Sequence, residues 1–297
     1  MDFQTFMQQF VNALSLGSLY ALIAIGYTMV YGILRLINFA HGDIVMIGGY
    51  LAFYAVTTFM MPWWVAAAVS IGLTMLFGMG LERVAYRPLR DSPRISVMIS
   101  AIGASFLIEN LAIVLFDARP KAFPVPEFFA AQFVWGGVHV AAVSAIIPAV
   151  TILILSVLLW VIYRTKTGMA MRAVSTDVDA ARLMAIDVNR VISITFAIGS
   201  ALAAVGGIMW ALKYPRLEPL MGIMPGLKCF IAAVIGGIGS VAGAVLGGLL
   251  LGIIELLTIA FLPELTGYKD AFAFVLLIVV LLVKPTGLLG KNQREKV

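Results

Sequence analysis

Asn38, His41 and Asp43 fall within six positions of LINFAHGDIVMIGGY (36–50). An imidazole close to a carboxylate and a carboxamide could move protons, ligate a metal or simply anchor a chain by hydrogen bonds. His41 is one of two histidines in 297 residues, and the other, His139, lies in a different segment. There is one cysteine, Cys229, so neither a metal set nor an intrachain disulfide can be assembled. H-E-x-x-H, G-x-S-x-G and G-x-x-x-x-G-K-[ST] are missing, and GLLGK near the C-terminus lacks the phosphate-loop spacing. Two further carboxylates interrupt apolar runs: Glu109, next to Asn110 in GASFLIENLAIVLF, and Glu255 in GGLLLGIIELLTIAF. No third acid completes a proton relay. The sequence therefore predicts no catalytic residue and no metal site, and leaves the question of why so apolar a chain keeps this cluster.

The surroundings make the question sharp. Of the residues, 62% are hydrophobic and 12% charged, against roughly a quarter charged in a soluble domain. The apolar residues come in runs longer than the roughly 18 that mark a membrane span. An all-α integral membrane protein is expected, a polytopic helical bundle forming one domain over 1–297. Candidate spans are 10–33, 44–60, 63–81, 96–116, 141–163, 191–212, a block 226–262, and 271–283. MDFQTFMQQ has no basic n-region, so the first run is expected to be a retained span. The net charge of +5 belongs to loops and does not point to nucleic acid. Of the 20 Lys and Arg residues, 14 fall on one side: Arg35; Arg83, Arg87, Arg90 and Arg94; Arg164, Lys166, Arg172, Arg182 and Arg190; Lys284, Lys291, Arg294 and Lys296. The positive-inside rule makes that side cytoplasmic, with the N-terminus periplasmic and the C-terminus cytoplasmic.

The block 226–262 is too long for one span, since 37 residues make a helix of about 55 Å against a hydrocarbon core of roughly 30 Å. It must break at GGIGSVAG (236–243), leaving a short or re-entrant piece 226–236 and a spanning piece 240–262. Eight membrane segments are expected. The polar cluster occupies the other Gly-interrupted break, 32–43. A pair of broken, Gly-rich segments in the two halves of a chain points to a transport site, so Asn38, His41, Asp43, Glu109 and Glu255 are candidates for the path or its gate. Arg35 and freed backbone groups are the expected partners of Asp43. The alternative is a solvated cytoplasmic turn at 35–43, with the two glutamates snorkelling to the outer surface. Gly239, Gly243 and Gly247 recur every four residues and predict close helix packing. The same spacing occurs at Gly248 and Gly252, and at Gly199, Ala203 and Gly207.

The 27-residue polar stretch 164–190 holds STDVDAARLMAIDV, whose capping residues and alanines predict a cytoplasmic helix over 175–187. Here DAARLMA (179–185) resembles the Glu-Ala-Ala-x-x-x-Gly signature of ABC-importer permeases, with Asp179 for Glu and Ala185 for Gly. GSLYALIAIGYTMVYGILRLINFAHGDIVMIGGY, ERVAYRPLR, AVIGGIGSVAGAVLGGLLLGIIE and KPTGLLG resemble the bacterial branched-chain amino acid permeases of the Liv H type. The resemblance runs from about residue 10 to 297. It implies an inner-membrane subunit of an importer for leucine, isoleucine or valine. It also implies a homologous second permease, two ATPase subunits that bind ATP and magnesium, and a periplasmic binding protein; this chain itself would hold no cofactor. Asp179, Ala180, Ala181, Arg182, Leu183, Ala185 and Ile186 would couple to the ATPase. Urea or short amides are the alternative cargo within the family. A secondary transporter or channel working alone is the alternative outside it.

Overall fold

The computed structural model describes residues 3–90, 92–135, 137–261 and 263–290. The tail carrying Lys291, Arg294 and Lys296 lies outside them, as does Asp2. Twelve α-helices follow in order: α1 (Phe3–Leu34), α2 (His41–Thr57), α3 (Trp63–Leu81), α4 (Arg94–Phe116), α5 (Glu127–Ala130), α6 (Ala142–Arg164), α7 (Lys166–Thr176), α8 (Val178–Leu183), α9 (Val188–Lys213), α10 (Ile223–Gly236), α11 (Val241–Phe261) and α12 (Lys269–Val283). Local chemistry sets many of the boundaries. Pro62, Pro93 and Pro126 stand immediately before α3, α4 and α5, where the missing N–H costs nothing. Thr165, Asp177 and Asp187 cap α7, α8 and α9, each accepting from an amide of the first turn.

Seven helices are long and apolar enough to cross a membrane. Two more, α2 with 17 residues and α10 with 14, reach about 25 and 21 Å and leave a roughly 30 Å core unspanned. With these two the described residues hold nine membrane-depth helices, one more than the eight expected and the number that the candidate spans themselves give once 226–262 is split.

The first span is the axis of the bundle. Its most apolar window is 94% buried, against 22% or less for α3, α4, α6 and α12, which leaves those four at the periphery of the bundle. The helix α11 runs antiparallel to α1, with Gly248 against Ala21, Gly252 against Gly17, and Gly239 near Gly32. The helix α9 also runs antiparallel to it, placing Gly199 against Gly26 and Gly206 against Ile23. On α11, Gly243 and Gly247 back onto Gly236 and Ala232 of α10, while Gly248 and Gly252 face α1. One helix therefore shows two glycine faces to two neighbours. Gly239 approaches Gly32 from outside the helix: it precedes α11, in the turn after α10, with φ +91°.

The expected helix 175–187 is two helices. Asp177 takes an extended backbone (φ −155°, ψ 115°) between α7 and α8, because its carboxylate accepts from the amides of Asp179 and Ala180 and starts a new helix. Four short strands join the helices: β1 (Lys121–Ala122) pairs antiparallel with β4 (Arg216–Leu217), and β2 (Gln132–Trp135) with β3 (Val138–Ala141).

A Cβ on Gly247 would overlap the Ala232 carbonyl, whereas one on Gly103 would meet nothing within 4 Å. Gly247→Val should therefore cost at least the roughly 1–3 kcal/mol of an overpacked core. Its detergent-solubilised form should melt several degrees below the parent, while Gly103→Ala melts with it.

Candidate functional site

After Leu34 the chain turns on Arg35, a non-glycine residue at φ +53°, and climbs back into the bundle over 36–40. The return is measured by His41, whose Nε2 lies 3.2 Å from the Ile23 carbonyl oxygen and donates to it. A Cβ on Gly26 would lie 3.0 Å from the same ring. Ile23 and Gly26 are 11 and 8 residues from the end of α1, about 12 to 16 Å back along the axis. So α2 starts near the middle of the bundle. Asn38 is fixed on the way, its Oδ1 accepting from the Tyr86 hydroxyl at 2.7 Å.

The sequence places three residues in one cluster, and the structure gives them three destinations. Asn38 faces Tyr86, and His41 faces α1, edge-on to Tyr27. Only Asp43 faces a cavity. Its Oδ2 accepts from Ser105 of α4 at 2.5 Å, where Arg35 had been expected. Arg35 instead lines a second cavity, of about 700 Å³, at the Leu34 end of α1.

The Asp43 cavity, about 270 Å³, is walled by α1, α2, α4 and α10. Glu109 lies one helical turn beyond Ser105 and lines it too. Most of the wall is apolar: Phe39, Ile102, Phe106, Ile223, Leu227 and Phe230. Its floor is a joint of three glycines. A Cβ on Gly226 would lie 2.7 Å from the Gly42 Cα, and one on Gly42 would strike the Gly222 carbonyl. Two short helices thus meet start to start, and only glycine permits it. Sequence reasoning passed over Gly42, Gly222 and Gly226. Pro225 inside the first turn of α10, flanked by Gly222 and Gly226, was the available signal.

Residues 9–281 match the family described as the branched-chain amino acid transport system permease component. The chain belongs to this family. It is 46% identical to the high-affinity branched-chain amino acid transport system permease protein BraD of Pseudomonas aeruginosa, over 98% of both chains. It is 45% identical to the LivH protein of the same description from Escherichia coli, over 100% of this chain and 99% of that one. A more distant likeness, 23%, covers 91% of this chain and 82% of the ribose import permease protein RbsC of Haemophilus influenzae.

Glu255 of this permease lies outside the cavity. It is buried, accepting from Tyr20 at 2.8 Å and from Lys228 at 2.9 Å, with Lys269 3.3 Å away. Lys228 also pairs with Asp270 at 2.6 Å. Four charges that sum to zero thereby tie α10 to α11 and α12. Lys228, inside the apolar block 226–262, is 8% exposed.

On the polar side, α8 exposes Asp179, Ala180, Arg182, Leu183 and Ala185, half-buries Ile186 and buries Ala181. Ala181 was expected to couple outward; it faces the permease's own core because α8 packs on α7 and α9. Ala185 takes φ +58°, and the amides of Ala185 and Ile186 return to the carbonyls of Arg182 and Ala181. That is the helix-ending turn glycine usually makes, formed here by alanine. Glu82, also passed over, is fully buried and bonds Arg90 and Ser193, both at 2.7 Å.

Removing one member of a buried ion pair costs about 3–5 kcal/mol, and removing both costs far less. Lys228→Met should therefore lower the thermal midpoint in detergent markedly. Lys228→Met/Glu255→Leu, which leaves Lys269 to Asp270, should recover most of the loss.

Proposed function

We propose that the chain is the membrane-spanning permease subunit of an ATP-driven importer for branched-chain amino acids. Carrying this reading most is the full-length likeness to permeases named for that transport. In it, a periplasmic binding protein delivers the amino acid, a homologous second permease completes the path, and two ATPase subunits bind ATP and magnesium. The chain performs no covalent chemistry and binds no cofactor. It sits in the bacterial inner membrane with its N-terminus periplasmic and its C-terminus cytoplasmic.

The two cavities supply the stations of alternating access. Tyr27 lines the central cavity and Thr28 the second, so one step of α1 divides them. Tyr27 packs against His41 and Phe230, with ring centroids 5.4 and 5.5 Å away. These three rings are the proposed inner gate, with Asn38 and His41 fixing the start of α2 beside it. The larger cavity, rimmed by Arg35 and Arg172, is the proposed cytoplasmic exit. Movement at α8 would reach the gate through α9, where Asn189 and Ser193 hold Arg90 and Glu82, and then through Tyr86 to Asn38.

Leu183 and Met184 are 88% and 76% exposed, an apolar pair suited to a groove on the ATPase. Purified with its partners in proteoliposomes, the permease should take up leucine on ATP addition, with isoleucine and valine competing and urea not. Leu183→Asp/Met184→Asp should cut that uptake at least tenfold, by the roughly 1.4 kcal/mol or more expected from an interface anchor, while the subunit still inserts. Full uptake by the double variant refutes the docking role, and urea uptake in place of leucine refutes the cargo.

Orientation is open to cysteine labelling in a Cys229→Ala background. An impermeant maleimide should label Gln132→Cys in intact cells and Asp179→Cys only after permeabilisation. The reverse pattern refutes the topology.

A further inference from the structure

We propose that the central cavity recognises the cargo by its α-ammonium group, which the Asp43 carboxylate accepts with Glu109 one helical turn away. The inference rests on the proposed transport of branched-chain amino acids and adds the group by which the permease itself reads them.

The argument is one of unmatched charge. Asp43 is 3% exposed, and its one hydrogen-bond partner among the described residues is the Ser105 hydroxyl, on Oδ2. Oδ1 is unclaimed. No Lys or Arg among the described residues pairs with Asp43 or with Glu109, although both line one small cavity. The other carboxylates buried in the bundle are treated differently: Glu82 has Arg90, and Glu255 has Lys228 and Lys269. A buried carboxylate lacking a cation is costly, and a second one nearby raises the cost. A primary ammonium brings one positive charge and three donors, enough for both carboxylates.

The rest of the cavity suits the rest of such a molecule. Ile102, Phe106, Ile223 and Leu227 form an apolar wall for a branched aliphatic side chain. Gly42 and Asp43 stand in the first turn of α2, where amides lack intrahelical partners and favour an anion such as the α-carboxylate. The volume of 270 Å³ falls just below the roughly 300–1,000 Å³ of pockets for drug-sized ligands, which is room for one small molecule. A sugar or a neutral amide would leave the carboxylates unmatched.

The test uses the assembled complex in nanodiscs, with Cys229→Ala and a Leu227→Cys reporter alkylated by N-ethylmaleimide. Leucine and 3-methylbutylamine, which keeps the ammonium alone, should slow alkylation. 4-Methylpentanoate, which keeps the carboxylate alone, should not. Asp43→Asn should raise the leucine concentration for half-protection about tenfold or more, the loss of one charge-assisted bond, and Asp43→Glu should restore it. An unchanged alkylation rate without ligand shows that each variant keeps the cavity. Protection by 4-methylpentanoate equal to that by leucine overturns the proposal on the parent protein alone. So does protection by sodium or potassium chloride and not by leucine, or undiminished protection in Asp43→Asn. If the preparation drives leucine uptake but leucine gives no protection, this inference fails and the transport reading stands. If it drives no leucine uptake, the transport reading fails.

Discussion

A peptide group inside hydrocarbon must find a partner within the protein, because no water is there to supply one. This permease breaks two of its helices at membrane depth, and much of its unusual chemistry answers that demand. At the first break, the amides of Arg35 and His41 find the carbonyls of Tyr31 and Asn38, while the side chains of His41 and Asn38 tie the returning chain to Ile23 within α1 and to Tyr86. At the second, α10 ends at Gly236 with carbonyls exposed at its terminus. The segment after α12 returns to meet them, as Leu288 and Leu289 donate to the carbonyls of Ile235 and Gly236. The KPTGLLG motif thereby acquires a physical role: Gly287 turns at φ +76° and Gly290 packs on Gly237, so that the tail caps the end of α10 from far along the chain.

Satisfying the breaks brings backbone against backbone, and glycine follows from that. Where Gly42 meets Gly222 and Gly226, any side chain would drive apart the starts of α2 and α10. The same condition shapes α11, whose glycines on two faces let α1 and α10 approach it together. In lipid there is little hydrophobic gain from helix association, so close packing carries more of the stability. The small residues thus do two jobs: they hold the bundle together, and they leave two helix starts facing a cavity at its centre.

Most of the fold was legible in the sequence. Apolar length placed most span limits to within about three residues, since a span's limits are set by the membrane as much as by the chain; α1, which begins at Phe3 and not near 10, is the exception. The excess length of 226–262 forced a break where Gly237 does take φ +108°. The site was only partly legible. Asn38, His41 and Asp43 lie together in sequence, but a helix start turns each toward a different neighbour, and those neighbours (Tyr86, Ile23 and Ser105) come from three other elements. Ala181 illustrates the same limit: an Ala-Ala pair predicts a helix, but which of the two alanines faces inward depends on where α8 lies against α7 and α9. Glu82 looked like a loop charge because it stands at the end of an apolar run, and only its partner Arg90 shows that it is buried; Lys228 lies inside the block 226–262, where only Glu255 shows what it pairs with.

The buried and half-buried charges then divide by how fully they are matched. Lys228, Glu255, Lys269 and Asp270 neutralise one another across three helices. Glu82 and Arg90 close on each other beside Ser193 and Asn189. A matched network resists rearrangement, because opening it strands a charge in low dielectric; such networks suit parts that move as rigid bodies. Asp43 and Glu109 lack that closure and border a cavity at the joint of two half-helices. The contrast separates the parts that fix the helices from the place where a passing solute can complete the charge balance. It also explains how a chain this apolar can keep carboxylates at membrane depth: a cation of the protein satisfies some of them permanently, and in the proposed mechanism the cargo satisfies the others during each passage.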